Sequence, residues 1–167
     1  MRLGSGILPL RRLLDAQVPV GLGVDGSASN DGAQMLGEAR QAMLLARVSK
    51  GLEPFGCDHG PKQMTPRDAL RLATRGGAQV LGRAHDLGQI QAGYCADLAL
   101  YRLDTVAMAG AAVHDPVGAL LLCASANADY TVVHGRVVVK EGQLSSVDLP
   151  PLVEQHNRHA QQLARRV

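Results

Sequence analysis

Apolar residues fall at helical spacing over positions 7–16, where Leu10, Leu13 and Leu14 share a face and Pro9 stands near the start. Gln17-Val18-Pro19 ends that pattern. The next run, Val20-Gly21-Leu22-Gly23-Val24, is apolar throughout, as expected of a buried parallel strand covered on both faces. Its glycines let neighbouring backbone come close. The run opens into a polar loop, Asp25-Gly26-Ser27-Ala28-Ser29-Asn30-Asp31-Gly32. In α/β folds, sites are built at the C-terminal ends of strands. A helix is predicted over 33–48, with Met35, Leu36, Ala39, Ala42, Met43 and Ala46 on its apolar face. Residues 49–64 carry Gly51, Pro54, Gly56, Gly60 and Pro61 and read as a loop. Thr65-Pro66-Arg67-Asp68 is a helix start: Thr65 can cap, Pro66 suits the first turn, and Asp68 stands where a capping-box acid belongs. That helix runs to about Arg75, Gly76-Gly77 stops or bends it, and 78–81 add a turn.

After Gly82 the pattern turns to β. Residues 87–93 are turn-rich, 97–103 read as a strand, and 119–126 as a short apolar segment, helical or extended. Two β-branched runs, 130–134 and 136–140, flank Gly135, and Glu141-Gly142-Gln143 makes a further turn, the signature of an antiparallel hairpin. Residues 152–166 look helical and polar. The expected organisation is 1–82 as an α/β part, 83–148 as a partial β domain and 149–167 as a C-terminal helix.

Composition narrows the function classes. The chain has 167 residues, 46% hydrophobic and 19% charged, with a net charge of +2. There is no long basic run, and aromatic residues are three Tyr and one Phe, so a nucleic-acid surface is not implied. The longest apolar run, 116–124, is too short to span a bilayer, and residues 1–6 lack a signal-peptide pattern, so the cytoplasm is the expected compartment. Cys57, Cys95 and Cys123 are odd in number and lack CxxC spacing, which argues against a disulfide framework or a cysteine zinc site.

Asp25 carries the candidate chemistry. A carboxylate just past a buried Gly-rich strand is costly to place without a partner, and a metal ion or an acid–base role supplies one. The alternative is an Asp that caps the following turn. Gly21, Gly23 and Gly26 match the letters of a dinucleotide fingerprint. They lie within and just after the strand, however, and no acidic residue closes a second strand.

Gly21-Leu22-Gly23-Val24-Asp25-Gly26-Ser27-Ala28-Ser29-Asn30-Asp31 resembles the eighth-strand motif of the amidohydrolase superfamily, in its deaminase and chlorohydrolase-like branch. Arg2-Leu3-Gly4-Ser5-Gly6-Ile7 resembles the stretch before it. Thr65 to Thr74, with Gly76-Gly77-Ala78 and Leu81-Gly82, resembles the helix leaving the barrel. Leu87-Gly88 to Gly93, then Ala96-Asp97-Leu98-Ala99-Leu100, resembles the entry into a small β-sandwich. Val132-Val133-His134-Gly135-Arg136-Val137-Val138-Val139 with Gly142 resembles its closing hairpin. These motifs come in the family's order over nearly the whole chain.

The resemblance implies an α/β fold: the C-terminal part of a (β/α)8 metal-dependent hydrolase barrel, with part of a β-sandwich whose other strands come from the N-terminus. It implies a divalent cation, Zn²⁺ with Fe²⁺ as the alternative, held by histidines from earlier strands and by Asp25. Asp25 is then both metal ligand and catalytic proton acceptor, and Ser27, Ser29 and Asn30 share its loop, with Ser27 and Asn30 as candidate substrate contacts. The implied reaction is hydrolysis of a carbon–nitrogen bond that is not a peptide bond. The specific expectation is deamination of 8-oxoguanine or a related purine or triazine, with dechlorination as a close relative. The substrate is a small heterocycle, and a homo-oligomer is expected of the full-length enzyme. The family's His-x-His pair is not among His59, His85, His114, His134, His156 and His159. His156 and His159, spaced i, i+3, suit a surface metal or a solvated helix face. Two explanations follow: a partial gene product whose Met1 is internal to a longer protein, or a chain that works with a separate N-terminal partner. Poor solubility or association is expected of the chain alone. The other functional reading is a non-catalytic remnant that binds a partner chain.

Overall fold

The computed structural model describes residues 3–30, 32–52, 63–123 and 127–165. They form two units. One takes the chain through Cys95 and resumes at Arg102, and the other takes Ala96–Tyr101 and the residues from Asn127 onward.

The first unit is helical. Leu10–Asp15 (α1) is shorter than its apolar pattern and buries Leu10 alone. Met35–Gly51 (α2) buries Leu36, Ala39, Met43 and Ala46, a stripe at helical spacing that matches the sequence reading. It begins two residues later than expected because Ala33 has φ 39°, which a right-handed helix cannot contain. Pro66–Arg71 (α3) starts with the expected capping box: the Asp68 amide donates to the Thr65 hydroxyl at 3.2 Å, and the Thr65 amide donates to the Asp68 carboxylate at 2.9 Å. Burial pushes the Asp68 carboxyl up, but the bonds from Thr65 outweigh it and hold the group below its ordinary value. Thr65→Ala should therefore cost about 1 kcal/mol, and Thr65→Ser much less, read as a shift of the thermal midpoint.

The helix continues through a π-helical turn, Leu72–Gly76, into Gly77–Val80 (α4). This turn lies where the 20–24 segment crosses. A Cβ built on Gly76 would stand 2.3 Å from the Val20 carbonyl oxygen, and one on Gly21 would stand 2.8 Å from the Gly77 Cα. Ala111–His114 (α5) leads to Pro116–Leu122 (α6), where Asp115 caps the helix through the Val117 amide and accepts from Arg67 at the head of α3 at 3.0 Å. Helices α2, α3 and α6 pack against one another. Met64, Ala69, Leu72, Ala78, Met108, Ala119 and Leu121 complete this unit's core.

The second unit is an antiparallel meander of Leu98–Leu100 (β1), Tyr130–Val133 (β2), Arg136–Lys140 (β3) and Gln143–Leu144 (β4) in that order. The expected hairpin is present, with Thr131 opposite Val139 and Val133 opposite Arg136. His134 and Gly135 both have positive φ, 48° and 78°, as a two-residue turn between twisted strands requires. The His134 amide donates to Asp97 at 2.6 Å, which fixes the turn. Leu149–Ala164 (α7) follows, with every described residue exposed. No helix of the described residues is long and apolar enough to cross a membrane.

The structure corrects three expectations. Residues 20–24 form no strand among the described residues, and Gly21, Leu22 and Val24 are half-buried. A parallel strand exists only through hydrogen bonds to a neighbouring strand. All four strands described here belong to the antiparallel sheet, so the expected barrel ladder has no partner for this segment. The expected strand over 97–103 is confined to Leu98–Leu100. Residues 83–95 and 102–123, grouped with the sheet in the sequence reading, pack with the helices, because Met108, Ala119 and Leu121 carry their burial.

Candidate functional site

The loop after residues 20–24 holds Asp25 in the left-handed region, at φ 62°. That region is sparsely used by residues with a Cβ, although Asp tolerates it better than most. Such backbone persists where its surroundings fix it, and the hydrogen bonds here do so. The Gly26 amide donates to Asp25 Oδ1 at 2.8 Å, and the Ser29 hydroxyl donates to Oδ2 at 2.6 Å. The Ser29 and Asn30 amides return to the Gly26 carbonyl and close the turn.

Each Asp25 oxygen thus accepts one bond in this set, and a carboxylate oxygen has two lone pairs. One acceptor position on each oxygen is left over by these bonds, and the residue is exposed. The Ser29 hydroxyl, and after it the Gly26 amide, hold the Asp25 carboxyl below its ordinary value of 3.8. At neutral pH the side chain is an anion. Its contribution to stability is complete above the unfolded-state value and is lost as pH falls through the lower folded one. Ser29→Ala should raise the Asp25 pKa toward 3.8, measured by carbon-13 NMR titration of the carboxyl.

Asn30 is half-buried and bonded within the protein. Its Nδ2 donates to the Val24 carbonyl at 2.8 Å and to Glu38 Oε1 at 2.7 Å, and its Oδ1 accepts from the Gly32 amide at 2.9 Å. Both amide hydrogens are therefore engaged within the protein. Ser27 is exposed on the same loop.

An open cleft of about 500 Å³ lies beside Asp25, lined by Leu3, Ser5, Gly23, Val24, Asp25, Ser29, Asn30, Gly32, Glu38 and Gln41. Ser27 is not among the lining residues. Glu38 and Gln41, one turn apart on α2, escaped the sequence reading. Their only signal was a place in the first turns of the helix that follows the Asp25 loop.

The histidines lie elsewhere. His114 ends α5, His134 sits in the hairpin turn, His156 and His159 are on α7, and His85 is 3.6 Å from Asp86. Cys95 is half-buried and Cys123 exposed, both as free thiols. His59 and Cys57 lie outside the described residues. Among the described residues no three His, Cys, Asp or Glu side chains gather into a metal cage. The donor set fits one position of a cation site, a single exposed, ionised carboxylate with an acceptor position left on each oxygen.

A family model described as the amidohydrolase family matches residues 1–143. The 8-oxoguanine deaminase of Pseudomonas aeruginosa is 46% identical over 163 residues, which are 98% of this chain and 34% of that protein. Atrazine chlorohydrolase from Arthrobacter aurescens, solved in complex with zinc, aligns with a TM-score of 0.79 at 40% identity, covering 93% of this chain and 33% of that one. An adenosine deaminase from Xanthomonas campestris with bound zinc aligns with a TM-score of 0.83 at 27% identity, covering 99% of this chain and 35% of that one. The chain spans about a third of the length of the curated relatives it matches.

Proposed function

The chain belongs to the amidohydrolase family, and on that premise we propose that it forms the C-terminal part of a metal-dependent aminohydrolase acting on 8-oxoguanine or a related purine or triazine ring. One observation carries the reading. Asp25, the acid of the Gly-Val-Asp-Gly-Ser motif, is held as an anion in left-handed backbone at the edge of a polar cleft. The side chain itself is exposed.

Asp25 is the residue of this chain that would hold a divalent cation, zinc in this reading. A bound cation of this kind supplies Lewis acidity, which makes water nucleophilic at neutral pH toward an sp² ring carbon. Asp25 is placed to accept the proton of the attacking water. The Gly26 and Ser29 bonds orient its carboxylate and keep it in the ionised form that both ligation and proton acceptance require. Ser27, exposed on the loop but outside the cleft lining, is a proposed substrate contact in the assembled enzyme. Asn30, whose donors are engaged in the frame of the loop, also lines the cleft and is a proposed substrate contact there. The remaining ligands are histidines of barrel strands that this chain does not supply. The proposed compartment is the cytoplasm.

The test is to co-express this chain with the portion of the Pseudomonas aeruginosa 8-oxoguanine deaminase that it does not cover. An assembled complex should bind zinc and release ammonia from 8-oxoguanine or a related ring. A complex that assembles without zinc or turnover on any purine or triazine overturns the reading, in favour of a non-catalytic module that binds a partner chain.

A further inference from the structure

We propose that Asn30 and Glu38 are positioning residues for Asp25, a clamp that ties the peptide entering the acid to the first turn of α2. The inference rests on the reading of Asp25 as a metal ligand. The Val24 carbonyl and the Asp25 amide share one rigid peptide plane. Holding that carbonyl oxygen therefore holds the plane from which the Asp25 backbone turns to φ 62°. Asn30 Nδ2 holds it at 2.8 Å, and the second hydrogen of the same nitrogen goes to Glu38 Oε1 at 2.7 Å.

The orientation of the Asn30 carboxamide follows from its partners. Two acceptors face one end and the Gly32 amide, a donor, faces the other at 2.9 Å, so only one assignment of oxygen and nitrogen satisfies all three. Both bonds from Nδ2 are partly shielded from water, unlike the Asp25 bonds themselves. The Glu38 bond is assisted by charge, which makes it the stronger anchor. Glu38 in turn is fixed in the helix, where its amide donates to the Gln34 carbonyl at 3.1 Å. The chain of contacts runs α2, Glu38, Asn30, Val24 carbonyl, Asp25. Neither Asn30 nor Glu38 needs to touch the cation or the substrate to act in this way.

The test uses Asn30→Ala, Glu38→Ala and Glu38→Gln. In the co-expressed complex, the two alanine variants should weaken zinc about 10–100-fold, the range for a lost outer partner of a metal ligand, with assembly and helix content unchanged. Glu38→Gln keeps an acceptor oxygen and should recover part of the loss. In the chain by itself, the alanine variants should move the Gly26 amide proton resonance away from its position beside the Asp25 carboxylate, while the resonances of α3 stay in place. Zinc affinity and the Gly26 resonance both unmoved in the alanine variants would overturn the clamp. Should the wild-type complex bind no zinc while the Gly26 resonance shifts as described, the failure belongs to the metal-ligand reading and the clamp stands. Should one alanine variant not fold, the other alanine variant and Glu38→Gln decide the matter.

Discussion

Asp25→Asn should lower turnover of the co-expressed complex by at least about 10²–10⁴-fold, the span of a lost proton acceptor, and should release its zinc. The substitution replaces one oxygen with an NH2 group of nearly the same size. The Gly26 amide keeps an acceptor in Oδ1, and the Ser29 hydroxyl can turn to accept where it now donates. The loop retains the Asn30 bonds to Val24, Glu38 and Gly32. The fold should therefore survive, and the measured loss should be one of charge at the site. Ammonia release and bound zinc, read together on assembled complex, check it. A stable Asp25→Asn complex with undiminished turnover would remove Asp25 from the chemistry.

Gly76→Ala should produce a large loss of stability in the first unit. Its Cβ would lie 2.3 Å from the Val20 carbonyl oxygen and 3.4 Å from the Val20 carbonyl carbon. Both neighbours are backbone, so no side-chain rotation relieves the contact. Overpacking usually costs about 1–3 kcal/mol, and a clash with main chain belongs at or above the top of that range. For a chain of this size the thermal midpoint falls roughly 2–4 °C for each kcal/mol. Gly77→Ala is the control. It has helical φ, −58°, and open space around its Cβ. It should be neutral or gain up to about 1 kcal/mol from the lower entropy of the unfolded chain. Equal midpoints for the two variants would mean that the Val20–Gly76 crossing does not exist in solution. Because residues 20–24 lead directly into Asp25, Gly76→Ala should also weaken zinc in the complex.

The parts of the fold legible in the sequence are those whose cause is local. The Thr65–Asp68 capping box depends on residues three apart, and both of its bonds form. The α2 stripe depends on helical spacing alone, and Leu36, Ala39, Met43 and Ala46 are buried as read. The hairpin about Gly135 depends on two β-branched runs and a turn of positive φ. The strand over 20–24 was not legible in the same sense. Its pattern states what would cover it, and its hydrogen bonds need a neighbour that the pattern does not supply. What survives of that reading is the close backbone approach, made at Gly21 and Gly76 against each other's segments.

The site divides in the same way. The residue type at position 25, and its place after an apolar run, suggest a carboxylate costly to bury, whereas Asp25 is exposed and bonded within its own loop; its role comes with the family motif. The Asn30–Glu38 contact spans eight residues across a loop whose path depends on left-handed backbone at Asp25 and Ala33. No spacing rule encodes such a path. That is why the sequence pattern offers no link between Asn30 and Glu38.

A crystal structure of the co-expressed complex with zinc tests the central claim most directly. The account requires an Asp25 carboxylate oxygen about 2.0–2.2 Å from the metal, with the Gly26 and Ser29 bonds kept on its other lone pairs. A fully ligated zinc with Asp25 turned away from it, its carboxylate bonded only to its own loop, would contradict it.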